Sequence, residues 1–334
     1  MPLTVSHLSE SALLERILPR LQSPVGSPSS VLLGPGDDAA IVAAADARVL
    51  ISIDTQVQDM DFRLHWPNGY STTGFDVGWK AAAQNLSDIN AMGGRATSLV
   101  VSLTLPGNTT VEWVEDLADG LTAAIHELRA STCAVVGGDL GRGTEISVTA
   151  AVTGSLDGRP PVLRSGAQPG DVVVLAGTVG RAAAGLALLE SVHEYGSLEE
   201  KLRGFIRAQC RPRPPLESGP AAAAAGATAM MDVSDGLVRD AGRIAAASSV
   251  RIDLDPEALR YLGEPLHGAA SLLGMDPLEW VLGGGEDHGL LATVNPNVMP
   301  LAGFTAVGSV EAGHAEVTVG SQSPANVGWD HFAD

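Results

Sequence analysis

Apolar and polar positions along this chain follow two rhythms, and each rhythm predicts an element. Near the start, Leu13, Leu14, Ile17, Leu18 and Leu21 share one face at helical spacing, the mark of an amphipathic helix. VLISIDTQV (49–57) reads as a strand ending in a polar turn. Residues 72–94 read as a helix that stops at Gly93-Gly94. A strand follows at 96–106, then an amphipathic helix with early acids at 110–131, then strands at 133–139 and 145–156. Segment 157–171 is rich in Pro, Gly and charge and is the natural linker. Beyond it, DVVVLAGTVG opens a second region. Helices are expected there at 181–196, 197–210, 236–249 and 268–287, the last running into a glycine turn. A strand and turn are expected at 227–236, and short strands at 289–294, 304–310 and 316–320. The pattern is two α+β or α/β domains, 1–156 and 157–334, with no internal repeat of fixed period.

Composition supports two real cores. Of 334 residues, 45% are hydrophobic and 18% charged. Aromatics are only 4% while Ala and Gly abound, which reads as packing by small residues, or a GC-rich coding bias, rather than disorder. Acids outnumber bases 39 to 20, a formal charge of −19 that repels nucleic acid and anionic lipid. Such a field suits cations, or anionic ligands that arrive with metal ions. Cys133 and Cys210 fit neither C-x-x-C nor zinc spacing and read as reduced core thiols, consistent with the cytoplasm. The N-terminus lacks the basic start and apolar core of a secretory leader, and no apolar run is long enough to span a membrane.

Five stations repeat one arrangement, a carboxylate closing an apolar or glycine-rich run: Gly36-Asp37-Asp38, Ser52-Ile53-Asp54, Asn85-Leu86-Ser87-Asp88, Gly137-Gly138-Asp139 and Asp232-Val233-Ser234-Asp235-Gly236. Taken singly, each has an ordinary reading. Asp235 can cap a helix, Gly36-Asp37-Asp38 and Gly138-Asp139 can be turns, and Asn85 with Asp88 can be a solvated helix face. Taken together they pose a problem of charge. An unpaired buried carboxylate costs several kcal/mol or neutralises itself, and arginines near these stations are too sparse to serve them all. A hard divalent cation solves this, and Mg²⁺ is usually shared with substrate phosphates. Aspartates from both halves of the chain are therefore expected to gather magnesium around a phosphate substrate. Gly137-Gly138 and Gly283-Gly284-Gly285 allow close backbone approach, and the helix after Gly236 offers amides to an anion. Arg164 can clamp a phosphate or make an ordinary salt bridge. The chain has no P-loop, no kinase H-R-D or D-F-G, no G-x-G-x-x-G, no G-x-S-x-G and no H-E-x-x-H.

In order, GPGDDAAIV, SIDTQV, GWKAAAQNLSDINAMGG, GGDLGRG, LRSGAQPGD, MDVSDGL, GGGEDHGLL and GWDHF resemble the motifs of the thiamine-monophosphate kinase family, over about residues 33 to 332. That family belongs to the ATP-binding superfamily of aminoimidazole ribonucleotide synthetase. The resemblance implies transfer of the ATP γ-phosphate to thiamine monophosphate, a homodimer that pairs its N-terminal sheets, and a metal–nucleotide cleft between domains. It implies several Mg²⁺ ions held by Asp38, Ser52, the main-chain oxygen of Ile53, Asp54, Asp88, Asp139, Asp232 and Asp235. It implies ATP contacts from Gly138, Asp139, Arg164 and Ser234, and substrate contacts from Asp61, Glu286 and Trp329. Two positions depart from the family pattern: Asp61-Phe62 stands where many relatives have His-Phe, and His288 replaces an aromatic after Gly-Glu-Asp. Trp329 suits a cation–π contact with a thiazolium, or pins the C-terminus to the core. Glu286 suits an aminopyrimidine, or caps a turn, and His288 reads as a packed histidine. The acceptor phosphate, with a second pKa of about 6, is already nucleophilic at neutral pH, so no general base is expected. The alternatives are another superfamily enzyme, such as aminoimidazole ribonucleotide synthetase, or a magnesium–nucleotide-binding protein without turnover.

Overall fold

The computed structural model describes residues 2–21, 31–33, 40–324 and 328–329. Two compact units emerge, one of residues 1–89 and 94–159, the other of 90–93 and 160–334. The division falls at Arg159–Pro160, three residues beyond the expected 156.

In the first unit, α1 (Glu10–Ile17) precedes the short strands β1 (Val31–Leu33) and β2 (Ile41–Val42). Then come β3 (Leu50–Val57), α2 (Gly74–Ala91), β4 (Arg95–Leu105), α3 (Val111–Glu127), β5 (Val135–Arg142) and β6 (Ser147–Ser155). The last four strands named form one sheet with order β3-β6-β4-β5. β6 runs antiparallel to β3 and β4, and β5 is parallel to β4. β6 alternates strictly, burying Val148, Ala150 and Val152 completely. Glycine sets the α2–α3 crossing: a Cβ on Gly78 would lie 2.1 Å from the Leu117 carbonyl oxygen, and one on Gly120 2.2 Å from that of Phe75. The small-residue packing expected from composition is located there.

The edge strand β3 inverts the usual pattern. Opposite the buried Val152, Ala150 and Val148 of β6 stand Ser52, Asp54 and Gln56. Its aliphatic side chains point the other way, with Ile51 73% and Ile53 63% exposed. Asp54 is therefore inward because of the strand's period of two, not because an apolar run precedes it.

The second unit contains β7 (Val172–Ala176), α4 (Arg181–Leu189), α5 (Glu200–Cys210), α6 (Ser218–Ala225), β8 (Ala229–Val233) and α7 (Leu237–Ser248). It continues through β9 (Arg251–Leu254), α8 (Pro256–Gly263), α9 (His267–Leu273), α10 (Pro277–Gly283), β10 (Gly289–Val294), β11 (Phe304–Glu311) and β12 (Glu316–Val319). Its sheet has order β12-β9-β11-β7-β10-β8 and is antiparallel except between β9 and β12. Every residue of β8 and β10 is buried, which explains their unbroken apolar runs. Where one helix was expected over 268–287, there are two. Gly274 adopts φ +66° and closes α9, while Asp276 accepts from the Leu278 amide and Pro277 opens α10. The expected linker is anchored from residue 160 onward: the Asp171 carboxylate accepts from the Gln168 amide at 2.9 Å and the Thr228 hydroxyl at 2.7 Å. Among the described residues, no helix is long and apolar enough to cross a membrane.

Candidate active site

In the first unit the inward face of β3 meets a polar stripe on α2. Lys80, Gln84 and Asp88 recur every four residues and so share one side of that helix. The Ser52 hydroxyl donates to Asp88 Oδ2 at 2.5 Å, and Gln56 Nε2 donates to Gln84 Oε1 at 3.0 Å. Asp54 lies between Ser52 and Gln56 on the same face and is half-buried, as is Asp88. Two sequence stations thus meet, with Ser52 joining them. On β5, a Cβ on Gly138 would lie 2.1 Å from the Val101 carbonyl oxygen, so glycine is needed for that strand pairing. Asp139 is exposed beside it, and both line a 990 Å³ cavity with Val100, Ser102, Leu14 and Ile17. Asp61 is tied to its own turn, its Oδ2 accepting from the Val57 amide at 2.7 Å. Asp37 and Asp38 lie outside the described residues.

In the second unit, three motifs gather on one turn. Asp232 is the fourth residue of β8, 5% exposed, and its Oδ2 lies 3.2 Å from His288 Nδ1. The pairing of β8 with β10 sets Asp232 opposite Leu290, which brings the 286–288 loop alongside. That loop is held tightly. The Glu286 amide donates to the Ser234 carbonyl at 2.8 Å, and the His288 amide to that of Val233 at 3.1 Å. Glu286 and His288 both have left-handed backbones, φ +69° and +53°, at the position where strain marks functional loops. The Trp329 amide donates to the Asp235 carbonyl at 2.8 Å, while its side chain remains 61% exposed. Asp232, Ser234, Asp235, Glu286 and Trp329 are thereby assembled. Arg164 is exposed, and its carbonyl accepts from the Ser248 hydroxyl at 3.1 Å.

Sequence reasoning missed three residues that support this turn. Asp240 is fully buried, and its Oδ2 accepts from the amides of Ser234 and Asp235, both at 3.0 Å. Those two amides are therefore committed within the protein, so any anion at this turn is left to the amides of the helix after Gly236. Burial pushes the Asp240 carboxyl up to about 6, against the lowering effects of the Asp235 amide and of Arg243. Arg243 bridges Asp240 and Asp235 through its two terminal nitrogens, at 2.6 and 2.7 Å. Asp287 accepts from the Thr178 hydroxyl at 2.8 Å and the Ala182 amide at 2.9 Å, which fixes the loop to the start of α4. Burial raises its pKa, opposed by those same two donors. A signal for Asp240 exists in the sequence: it interrupts the buried stripe Leu237, Ala241, Ile244 and Ala245.

The donor set fits magnesium of the substrate-shared kind. Its atoms are hard oxygens of carboxylates and a hydroxyl. Among the described residues, no three of His, Cys, Asp and Glu cluster closely enough to hold a metal by themselves. One or two carboxylates with the remaining positions left to water and phosphate is the usual Mg²⁺ arrangement.

Residues 36–156 match the AIR synthase related protein, N-terminal domain, and 168–312 match its C-terminal domain. The thiamine-monophosphate kinase of Mycobacterium tuberculosis is 44% identical over 334 residues, covering 99% of this chain and 94% of that one. The chain belongs to the thiamine-monophosphate kinase family. Two solved structures of that family share the fold. The thiamine-monophosphate kinase of Stenotrophomonas maltophilia gives a TM-score of 0.77 at 30% identity, covering 95% of this chain and 98% of that one. AaThiL complexed with AMPPCP and TMP gives 0.76 at 31%, covering 98% of each. This family member thus carries the two-unit α/β fold expected from its sequence.

Proposed function

We propose that this protein transfers the γ-phosphate of ATP to the phosphate of thiamine monophosphate, giving thiamine diphosphate and ADP. The observation that carries this reading is the assembly of Asp232, Ser234, Asp235, Glu286 and Trp329 on one turn, in a chain whose relatives are thiamine-monophosphate kinases. An oxygen of the acceptor phosphate forms the new bond to Pγ as the bond from Pγ to the β–γ bridging oxygen breaks. The acceptor is largely a dianion above its second pKa of about 6, so the protein has no proton to remove. The barrier is repulsion between two polyanions, and the chain's task is positioning and charge neutralisation.

Magnesium, when bound, would neutralise phosphate charge and supply Lewis-acid chemistry to the transfer. Asp38, Ser52, the Ile53 main-chain oxygen, Asp54, Asp88 and Asp139 are assigned to it in the first unit, and Asp232 and Asp235 in the second. Gly138, Asp139, Arg164 and Ser234 are assigned to ATP. Asp61, Glu286 and Trp329 are assigned to the thiamine moiety: two carboxylates suit an aminopyrimidine and a cationic thiazolium, and the exposed indole suits the thiazolium face. The first unit is the metal–nucleotide and dimerisation domain, and the second completes the substrate site.

A homodimer is part of this proposal. The open face of the first unit's sheet presents Ile51, Ile53 and the 40%-exposed Val100, with Ala151 between them in register. A contiguous aliphatic face of this kind is an association surface. A cytoplasmic location is supported by two buried thiols, Cys133 and Cys210. Incubation with ATP, Mg²⁺ and thiamine monophosphate, followed by chromatography, tests the reaction. Thiamine diphosphate is the expected product. Turnover of ATP with a different phosphate acceptor, and none with this one, overturns the substrate assignment.

A further inference from the structure

The turn that carries Ser234 and Asp235 is organised from behind. Asp240 has no solvent exposure, and one of its oxygens gathers two consecutive backbone amides. Its other oxygen holds Arg243 Nη1 at 2.6 Å. Arg243 then reaches forward with Nη2 to Asp235 Oδ2 at 2.7 Å. The anchor is buried and the groups it holds are partly exposed: the Asp240 side chain is at 0%, Arg243 at 35% and Asp235 at 19%. The Asp240 end is therefore dry, and the Asp235 end is partly open to solvent.

The planar guanidinium is suited to this task, because its two nitrogens fix the direction of both carboxylates at once. With Oδ2 of Asp235 engaged by Arg243, its other oxygen, Oδ1, is assigned to a cation. The charge sum matters as much as the geometry. Asp240 balances Arg243, so Asp235 keeps its own negative charge for a cation. Without Asp240, the guanidinium would neutralise Asp235 instead and repel a divalent ion.

We propose that Asp240 and Arg243 are positioning residues for cation binding at Asp235, with Asp240 both fixing the turn and balancing the guanidinium that orients the Asp235 carboxylate. This rests on the reading of Asp235 as a magnesium ligand, and the test separates the two. The measurement is binding of Mn²⁺ to the full chain in the presence of AMPPCP, read by the electron paramagnetic resonance of free Mn²⁺. Each variant is first checked for native circular dichroism and melting.

Asp235→Asn tests the ligand reading: unchanged Mn²⁺ affinity overturns it and the present proposal with it. Asp240→Asn, nearly isosteric, is expected to weaken Mn²⁺ binding about tenfold or more, the usual effect of removing support behind a metal ligand. The double variant Asp240→Asn/Arg243→Gln removes the unbalanced guanidinium and is expected to recover most of that loss. A purely structural Asp240 would lower the melting temperature and leave Mn²⁺ affinity intact. If Asp235→Asn weakens binding while folded Asp240→Asn binds normally, the positioning proposal falls and the ligand reading stands. If Arg243→Gln brings no recovery in the Asp240→Asn background, the charge-balance role is overturned.

Discussion

Asp232→Asn exchanges one oxygen for an amide nitrogen at a residue that is 5% exposed in the fully buried strand β8. The shape is kept, and the remaining amide oxygen can still accept from His288, now 3.2 Å from Oδ2. A hydrogen bond to a charged group contributes about 1.5–3 kcal/mol and a neutral one about 0.5–1.5, so the exchange costs about 1 kcal/mol. Relief from burying a carboxylate acts in the opposite direction. The net change in stability is therefore within about 1 kcal/mol, or roughly 2–4 °C of melting temperature for a domain of this size. Turnover responds differently, because a neutral amide is a poor partner for Mg²⁺. Losing one such group at the transition state costs about 10²–10³ in rate, close to 2.7–4 kcal/mol. The assay is ADP release with thiamine monophosphate as acceptor, run beside a thermal melt. A rate within threefold of the parent removes Asp232 from the site. A rate loss accompanied by a collapse of the melt reassigns Asp232 to structure.

Further outcomes follow from the same geometry. Gly78→Ala places a Cβ 2.1 Å from the Leu117 carbonyl oxygen; overpacking of about 1–3 kcal/mol, less about 1 kcal/mol of gained helix propensity, gives net destabilisation, and a more stable variant contradicts the close α2–α3 crossing. Burial pushes the Cys133 thiol up to about 12, so in the native protein it resists iodoacetamide at pH 8. Because the unfolded thiol ionises near 9.0, its contribution to stability is intact below that pH and lost as pH rises towards 12. Cys133→Ala should therefore flatten the alkaline arm of urea stability curves. Trp329→Ala should raise KM for thiamine monophosphate about 2–30-fold, the range of a cation–π contact of about 0.5–2 kcal/mol, with the melt little changed. Ile51→Asp puts a charge on the open sheet face and should shift sedimentation from dimer to monomer; an unchanged dimer moves the interface elsewhere.

Much of the fold was legible because its helices and strands keep their periods. The strict alternation of β6 and the apolar runs of β8 and β10 leave little choice of element. The break at Gly274 was missed because apolar residues continue on both sides of it, although Asp276-Pro277 is a helix-start signal. β9 and α8 escaped because they are short, four and eight residues, and the parallel pairing of β9 with β12 is not local.

At the site, the stations could be read because carboxylates beside glycines and apolar runs conflict with burial. The orientation of β3 was not legible in the same way. Ile51 and Ile53 suggest an inward apolar face, whereas register with β6 turns them out and Ser52 and Asp54 in. Asp240 and Arg243 were passed over because a first-turn acid and a basic residue three positions later look like ordinary helix chemistry. Their meaning lies in what each touches outside that helix.

The proposed reaction depends on magnesium held by scattered aspartates, which lets two like-charged phosphates approach. It is tested most directly by titrating free Mg²⁺ at fixed, saturating MgATP and thiamine monophosphate while following thiamine diphosphate. The rate is expected to keep rising with free Mg²⁺ after all ATP is complexed, and to vanish with EDTA. Full turnover with no free Mg²⁺ beyond that carried by ATP would contradict it.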